Sequence, residues 1–221
     1  GSSPPTRTKY TIVRMIIEDT EILSGREKEI ISKEHFWNIP LYHTDKSTTE
    51  KFPFYGHTLS VRPSLEYDQE HLFTKDTNID VNSEFFFFYR DLIDRFCLKH
   101  QIKYTNIIRS AINSTYYIPG YKFADPHVDF TENHLVFLLY LNNPKNDKVE
   151  YNSTVIFDHE YSKDKPCVYD LEQYDENSFK IKREVFPELG KILCFDGKYY
   201  HASKMPNPGE FRFVCVFNLL I

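Results

Sequence analysis

The chain has 221 residues, enough for one domain that buries a full core without disulfides or a structural metal. Its net charge of −5 and sequence pI of about 6.0 weigh against a nucleic-acid protein, whose footprint is usually a basic face. No apolar run reaches the length of a membrane span, so neither nucleic acid nor membrane is expected as a partner. Aromatic residues make up 16%, with 19 Phe and 16 Tyr, which favours a β-rich core because flat rings pack well on a pleated surface.

The opening Gly1-Ser2-Ser3 reads as a tag remnant, and no signal peptide is recognised. Residues 1–11 read as flexible, and 11–17 as a strand with Ile12, Val13, Ile16 and Ile17 in partial alternation. Residues 27–80 read as irregular, broken by Pro40, Pro53 and Pro63. Within them His35-Phe36-Trp37 suggests a short helix or an aromatic anchor. The clearest helix spans 83–100, with Asn82 or Ser83 as cap and Glu84 adding negative charge to its first turn. Phe85, Phe88, Leu92 and Phe96 form its apolar stripe, widened by Phe86, Tyr89, Ile93 and Cys97.

After Gln101 the pattern changes to β-like runs at 104–117, 135–141, 154–157, 191–195 and 211–219. Turn signals separate them, such as Pro119-Gly120 and Asn142-Asn143-Pro144. The expected class is α+β and β-rich, a sandwich or barrel. One domain is expected over 1–221, with 1–100 supporting a β core at 101–221. Cys97, Cys167, Cys194 and Cys215 form no CxxC pair and are expected as reduced, mostly buried thiols. That fits a reducing, cytoplasmic compartment.

The string Asp125-Pro126-His127-Val128-Asp129 carries chemistry. In a strand, side chains two residues apart share a face, so His127 and Asp129 are expected to project together. A third ligand should come from a distant strand, and His201, after the buried run 191–195, is the best candidate. Two His and one carboxylate on one face of an octahedron leave three positions open, the pattern of non-haem iron(II) oxygenases. Arg212 opens the next strand and can hold a carboxylate in a bidentate pair. Lys204 follows His201 too soon for that role. Asp125 is expected as a turn or supporting residue, and Asp158-His159-Glu160 as an exposed turn.

These residues resemble the prolyl-4-hydroxylase-like branch of the Fe(II)/2-oxoglutarate-dependent dioxygenases over 104–219. Tyr116-Tyr117-Ile118-Pro119-Gly120 before His127-Val128-Asp129 is similar to that family's strand, turn and HxD motif. Leu139-Tyr140-Leu141-Asn142 resembles its tyrosine-leucine-asparagine strand. Asn152-Ser153 stand where the family usually has a Gly-rich turn. The resemblance implies a double-stranded β-helix, or jelly roll, flanked by N-terminal helices. It implies Fe(II) on His127, Asp129 and His201, and 2-oxoglutarate as cosubstrate anchored by Arg212. Tyr140 would assist Arg212, and Tyr117 would reach the cosubstrate or the metal-bound oxygen. O2 would be the oxidant, with ascorbate as a supporting reductant. A carboxylate at Asp129 argues against the halogenating variant, which needs that position for chloride.

The implied reaction is hydroxylation of a C–H bond. A peptidyl-prolyl or related peptide substrate is favoured, with the irregular 40–80 stretch as lid or groove. The alternatives are a free amino acid or small metabolite, or a non-catalytic jelly-roll binding module. The last would predict loss of a ligand or of Arg212, and both are present.

Overall fold

Alternation of side chains across strands organises this protein. The computed structural model describes residues 15–45, 47, 49–61, 80–144 and 151–221. The stretch read as flexible and most of the expected 11–17 strand lie outside these residues. Ile16 and Ile17 open β1 (Ile16–Asp19).

Ten further strands follow: β2 (Tyr42–Thr44), β3 (Phe54–Val61), β4 (Asp80–Val81), β5 (Asn106–Tyr116) and β6 (His134–Tyr140), then β7 (Thr154–Glu160), β8 (Ile181–Val185), β9 (Ile192–Asp196), β10 (Tyr199–Ser203) and β11 (Phe211–Leu220). The larger sheet runs β1-β9-β6-β11-β5-β3-β2, with β4 on the edge of β3; the smaller runs β10-β7-β8. Residues 122–127 extend the smaller sheet. Ala124 N–H donates to the Ser203 carbonyl (2.9 Å), Met205 N–H to that of Lys122 (3.1 Å), and His127 bridges His201. The two antiparallel sheets form the expected jelly roll, in a β-rich α+β chain.

In β11, Phe213, Cys215, Phe217 and Leu219 point to one side and Val214 and Val216 to the other. β6 divides likewise, with Leu135, Phe137 and Leu139 opposite Val136, Leu138 and Tyr140. The first set packs on α3 (Phe85–Lys99) through Phe86, Tyr89, Leu92, Ile93 and Phe96. A sheet buried on both faces explains the near-continuous apolar sequence of β6 and β11. Asp19 on β1 fixes the end of α3, accepting from His100 Nε2 (2.7 Å) and pairing with Lys99 (2.8 Å).

Several expectations shift. α3 begins at Phe85 with Glu84 at the N-cap, while Ser83 Oγ accepts the Phe85 N–H (3.3 Å). Phe85 and Phe88 are only partly buried; Phe86 and Tyr89 centre the stripe. The region read as irregular, 27–80, holds all but the first two of the helical residues 25–38 and all of β3. α1 (Gly25–Ile30) starts on a capping box of Ser24 and Glu27 and continues through a π-turn into α2 (Phe36–Asn38). Phe36 packs on Phe213, while Trp37 is 77% exposed. Asp158-His159-Glu160 end β7, not a turn; His159 sits among Tyr169, Phe179 and Tyr200, whose rings favour a strand over a solvent loop. The cysteines are free, three buried and Cys167 exposed. Among the described residues, no helix is long and apolar enough to cross a membrane.

Candidate active site

The chain crosses between the sheets at His127. Its N–H donates to the His201 carbonyl and the His201 N–H donates back, both at 3.0 Å. Such a closed pair sets two side chains side by side, and the imidazole centroids lie 4.5 Å apart. The expected regular HxD strand does not form. His127 is an isolated bridge and Asp129 lies in a bend, because the segment leaves β10 at this point. Asp129 nevertheless turns back: its Oδ1 is 3.6 Å from His127 Nε2 and 3.9 Å from His201 Nε2. Ligand atoms of all three residues lie within 4.8 Å of one another.

Partners outside the cluster orient each ligand. His127 Nδ1 donates to the Asp125 carbonyl (2.9 Å) and His201 Nδ1 to the Tyr199 carbonyl (3.2 Å). Each ring thereby presents Nε2 to the cluster. Asn218 Nδ2 donates to Asp129 Oδ2 (2.6 Å), leaving Oδ1 facing the histidines. Asp125 is fully buried; its carboxylate accepts from Thr49 Oγ1 (2.7 Å) and Leu171 N–H (3.0 Å). It thus anchors the loops on either side of His127.

Burial, reinforced by the charge of His127, pushes the His201 imidazole down to about 4. Burial acts to raise the Asp129 carboxyl, but contact with His127 and the nearby His201 and Arg109 outweigh it and hold it well below the usual carboxylate range. Two imidazole nitrogens and one carboxylate oxygen facing one point are a donor set for a divalent cation.

The cluster lines a cavity of about 450 Å³. Arg212 lies in the same cavity, with Val214 and Val216 between it and the end of β11. Arg212 is 5% exposed; Nε donates to the Asn152 carbonyl (3.1 Å) and Nη2 to Thr154 Oγ1 (2.7 Å). Burial draws its guanidinium pKa down, opposed by the Tyr140 hydroxyl, yet guanidinium stays charged. Among the described residues no carboxylate pairs with it. Thr115, opposite Arg212 in the ladder, lines the cavity with a buried Oγ1 that has no partner. A buried cation beside a buried hydroxyl without a partner suits a carboxylate guest.

Tyr140 supports this end from behind: its hydroxyl bonds Thr154 Oγ1 (2.7 Å) and its ring lies 5.6 Å from the guanidinium. Tyr117 stands elsewhere, against Phe52, Ala124 and Met205, because the chain turns away from the cavity after β5. Lys204 pairs with Glu184 (2.5 Å). Asn152, in place of a glycine, takes the left-handed conformation itself (φ 65°), which Asn tolerates better than most residues. Sequence reasoning missed Asn218, Thr115, Thr154 and Arg109, each a polar residue at an inward position of a strand or its start.

No family model and no curated protein matches the chain. Solved structures do. An oxidoreductase of the 2OG-Fe(II) oxygenase family from Burkholderia pseudomallei superposes with a TM-score of 0.58 at 10% identity, covering 93% of this chain and 84% of that one. The chain has the fold of the 2-oxoglutarate-Fe(II) oxygenases. The non-heme alpha ketoglutarate dependent carbocyclase SnoK from nogalamycin biosynthesis gives a TM-score of 0.57 at 10% identity, over 92% and 78% of the two chains. A Trichoplax adhaerens prolyl hydroxylase, solved with a hypoxia inducible factor oxygen degradation domain peptide fragment, gives 0.53 at 12% identity, over 94% and 84%. This oxygenase fold thus accommodates both peptide and small-molecule enzymes among its neighbours.

Proposed function

We propose that this chain is an Fe(II)- and 2-oxoglutarate-dependent oxygenase that hydroxylates a C–H bond. One observation carries the reading: a His127–Asp129–His201 donor set shares a single cavity with a buried Arg212 that pairs with no carboxylate among the described residues. His127 and His201 would hold iron through Nε2 and Asp129 through Oδ1. Arg212, helped by Thr115 and Thr154, would hold the distal carboxylate of 2-oxoglutarate. When bound, iron and 2-oxoglutarate supply the oxidising power drawn from O2, with ascorbate as a reductant that keeps iron ferrous. The chain's own part is to orient these groups: Asn218 aims Asp129, and Leu138, Val214 and Val216 wall the cavity with apolar surface that limits water.

A peptidyl-prolyl or related peptide substrate is the favoured reading. A second cavity of about 770 Å³ runs along β3 and β5 and shares Arg109, Asn113, Asp129 and Phe130 with the first. That is more room than a free amino acid needs. The small-metabolite reading is supported by the likeness to SnoK, at a TM-score of 0.57.

The test is succinate formation from 2-oxoglutarate by the Fe(II)-loaded protein, with and without peptides, paired with metal titration. The wild type should bind one Mn(II) per chain and then 2-oxoglutarate, and Asp129→Ala should lose both steps. Unchanged metal binding in Asp129→Ala would show the ligand set to be wrong. No metal-dependent binding of 2-oxoglutarate would remove the enzyme reading.

A further inference from the structure

A second arginine faces the same cavity, and neither iron nor 2-oxoglutarate would be held by it. Arg109 lies on β5, opposite Asn218 in the ladder. The pairing slips by one residue there, since Asn218 faces Arg109 while Leu219 faces Ile107. The extra residue, Ile108, changes the strand's phase. Ile107 therefore packs with the α3 core, while Arg109, Asn113 and Thr115 turn inward.

Arg109 lines both cavities, at the place where they meet beside Asp129. Its charge is one of those that hold Asp129 ionised, but the two make no direct bond. Asn218 has taken Asp129 Oδ2, and Oδ1 faces the histidines. Among the described residues the Arg109 guanidinium donates to no side chain or carbonyl and pairs with no carboxylate. Glu132, the other acid on the cavity wall, accepts instead from Thr131 Oγ1 (3.1 Å). Half-buried arginine normally spends its fork of donors on a protein acceptor. Here the fork is open toward the space where a substrate would lie, with Asn113 beside it as a second polar anchor.

We propose that Arg109 is a specificity-determining residue that binds a carboxylate of the primary substrate next to the metal cluster. The inference rests on the oxygenase reading and narrows it. The cavity carries two arginines, Arg212 for the cosubstrate and Arg109 for the molecule to be oxidised. The substrate class is then a carboxylate-bearing molecule: either a small acid or a peptide with an acidic side chain or free C-terminus at the reacting residue.

The experiment uses the Fe(II)-loaded protein with saturating 2-oxoglutarate and two matched probe sets. One set holds free amino acids, proline included, and their C-terminal amides. The other holds capped Pro-containing peptides with Asp or Glu beside the proline, and their Asn or Gln counterparts. Substrate-stimulated succinate formation should favour the carboxylate members by about 10- to 100-fold in kcat/KM, as expected for one charge-assisted contact. Which set responds identifies the source of the carboxylate. Arg109→Gln should abolish that preference, and Arg109→Lys should restore part of it. Affinity for 2-oxoglutarate, measured separately in the Mn(II) form, should change less than twofold in Arg109→Gln. Carboxylates that do no better than their amides, by equal turnover or by none, overturn the proposal. So does a tenfold loss of 2-oxoglutarate affinity in Arg109→Gln, which would assign the residue to the cosubstrate. Failure of the oxygenase reading looks different: the wild type would then not bind 2-oxoglutarate at all.

Discussion

Asn218 and Asp129 are joined by a 2.6 Å hydrogen bond from the amide to Oδ2, although 89 residues separate them. The bond does what strand geometry was expected to do. Asp129 sits in a bend, where its own backbone does not dictate its direction, and the amide on β11 holds the carboxylate toward the two histidines. Replacing Asn218 with Leu, of similar volume, should lower Mn(II) or Fe(II) affinity by about 10- to 100-fold, the usual effect of removing a group that orients a metal ligand. Competition titration with a metal indicator measures this, and unchanged affinity would show that the bend alone aims Asp129.

Arg212 makes two directed bonds, from Nε to the Asn152 carbonyl and from Nη2 to Thr154. A lysine cannot reproduce that fork. Arg212→Lys should weaken 2-oxoglutarate binding by about 10- to 100-fold, while metal affinity stays near the wild-type value. Because the guanidinium is buried with no carboxylate partner among the described residues, Arg212→Met should leave the melting temperature level or raise it. A large fall in melting temperature would mean that the charge serves the fold more than a ligand.

The metal-free protein should lose stability as pH falls through a defined window. His201 is held to about 4 in the folded chain by burial, against an unfolded value of about 6.5. Between these values the unfolded chain binds more protons, so unfolding is favoured as pH drops from about 6.5 to about 4, by up to about 3 kcal/mol. Asp129, held below the usual carboxylate range, continues the trend at lower pH. Urea denaturation at pH 7.5 and 4.5 reads the difference, and His201→Asn should flatten it. An equal slope in His201→Asn would move the effect to other groups.

Asn152 carries a left-handed backbone at φ 65° and offers its carbonyl to Arg212. Asn152→Gly should fold as well as the wild type, since glycine takes that conformation freely. Asn152→Ala should cost about 1 kcal/mol and also loosen 2-oxoglutarate binding through Arg212. Chemical denaturation alongside 2-oxoglutarate titration of both variants checks the pair of effects.

The parts of the site legible in the sequence are those whose signal is local or ordered. His127 and Asp129 lie in one short string, and His201 and Arg212 follow in the expected order. Asn218 was hidden because one amide in an apolar strand looks like an interruption. Counting by twos from Arg212 through Val214 and Val216 reaches it. Arg109 was hidden by the shift in phase at Ile108, which no alternation rule anticipates. Strands β3 and β8 escaped for chemical reasons. β3 holds Gly56, His57 and two hydroxyl residues, and β8 reads Ile-Lys-Arg-Glu-Val with three charges, as suits the edge of a sheet. His201 was expected on a strand, but β10 had no bounds of its own, because its five residues, Tyr-Tyr-His-Ala-Ser, make no long apolar run.

The inward residues of β11 place Arg212 near one end of the cavity and Asn218 beside Asp129 at the other. Six residues of extended chain fix that span at roughly 20 Å along the strand. The strand therefore acts as a ruler. Inserting or deleting one residue between 213 and 217 would turn Arg212 or Asn218 to the wrong face, whatever residue was added or lost. Point changes at Val214 or Val216 can be absorbed by repacking, but a change of length cannot. In descendants of this sequence β11 should vary in composition and hold its length, with insertions gathering in the loops at either end.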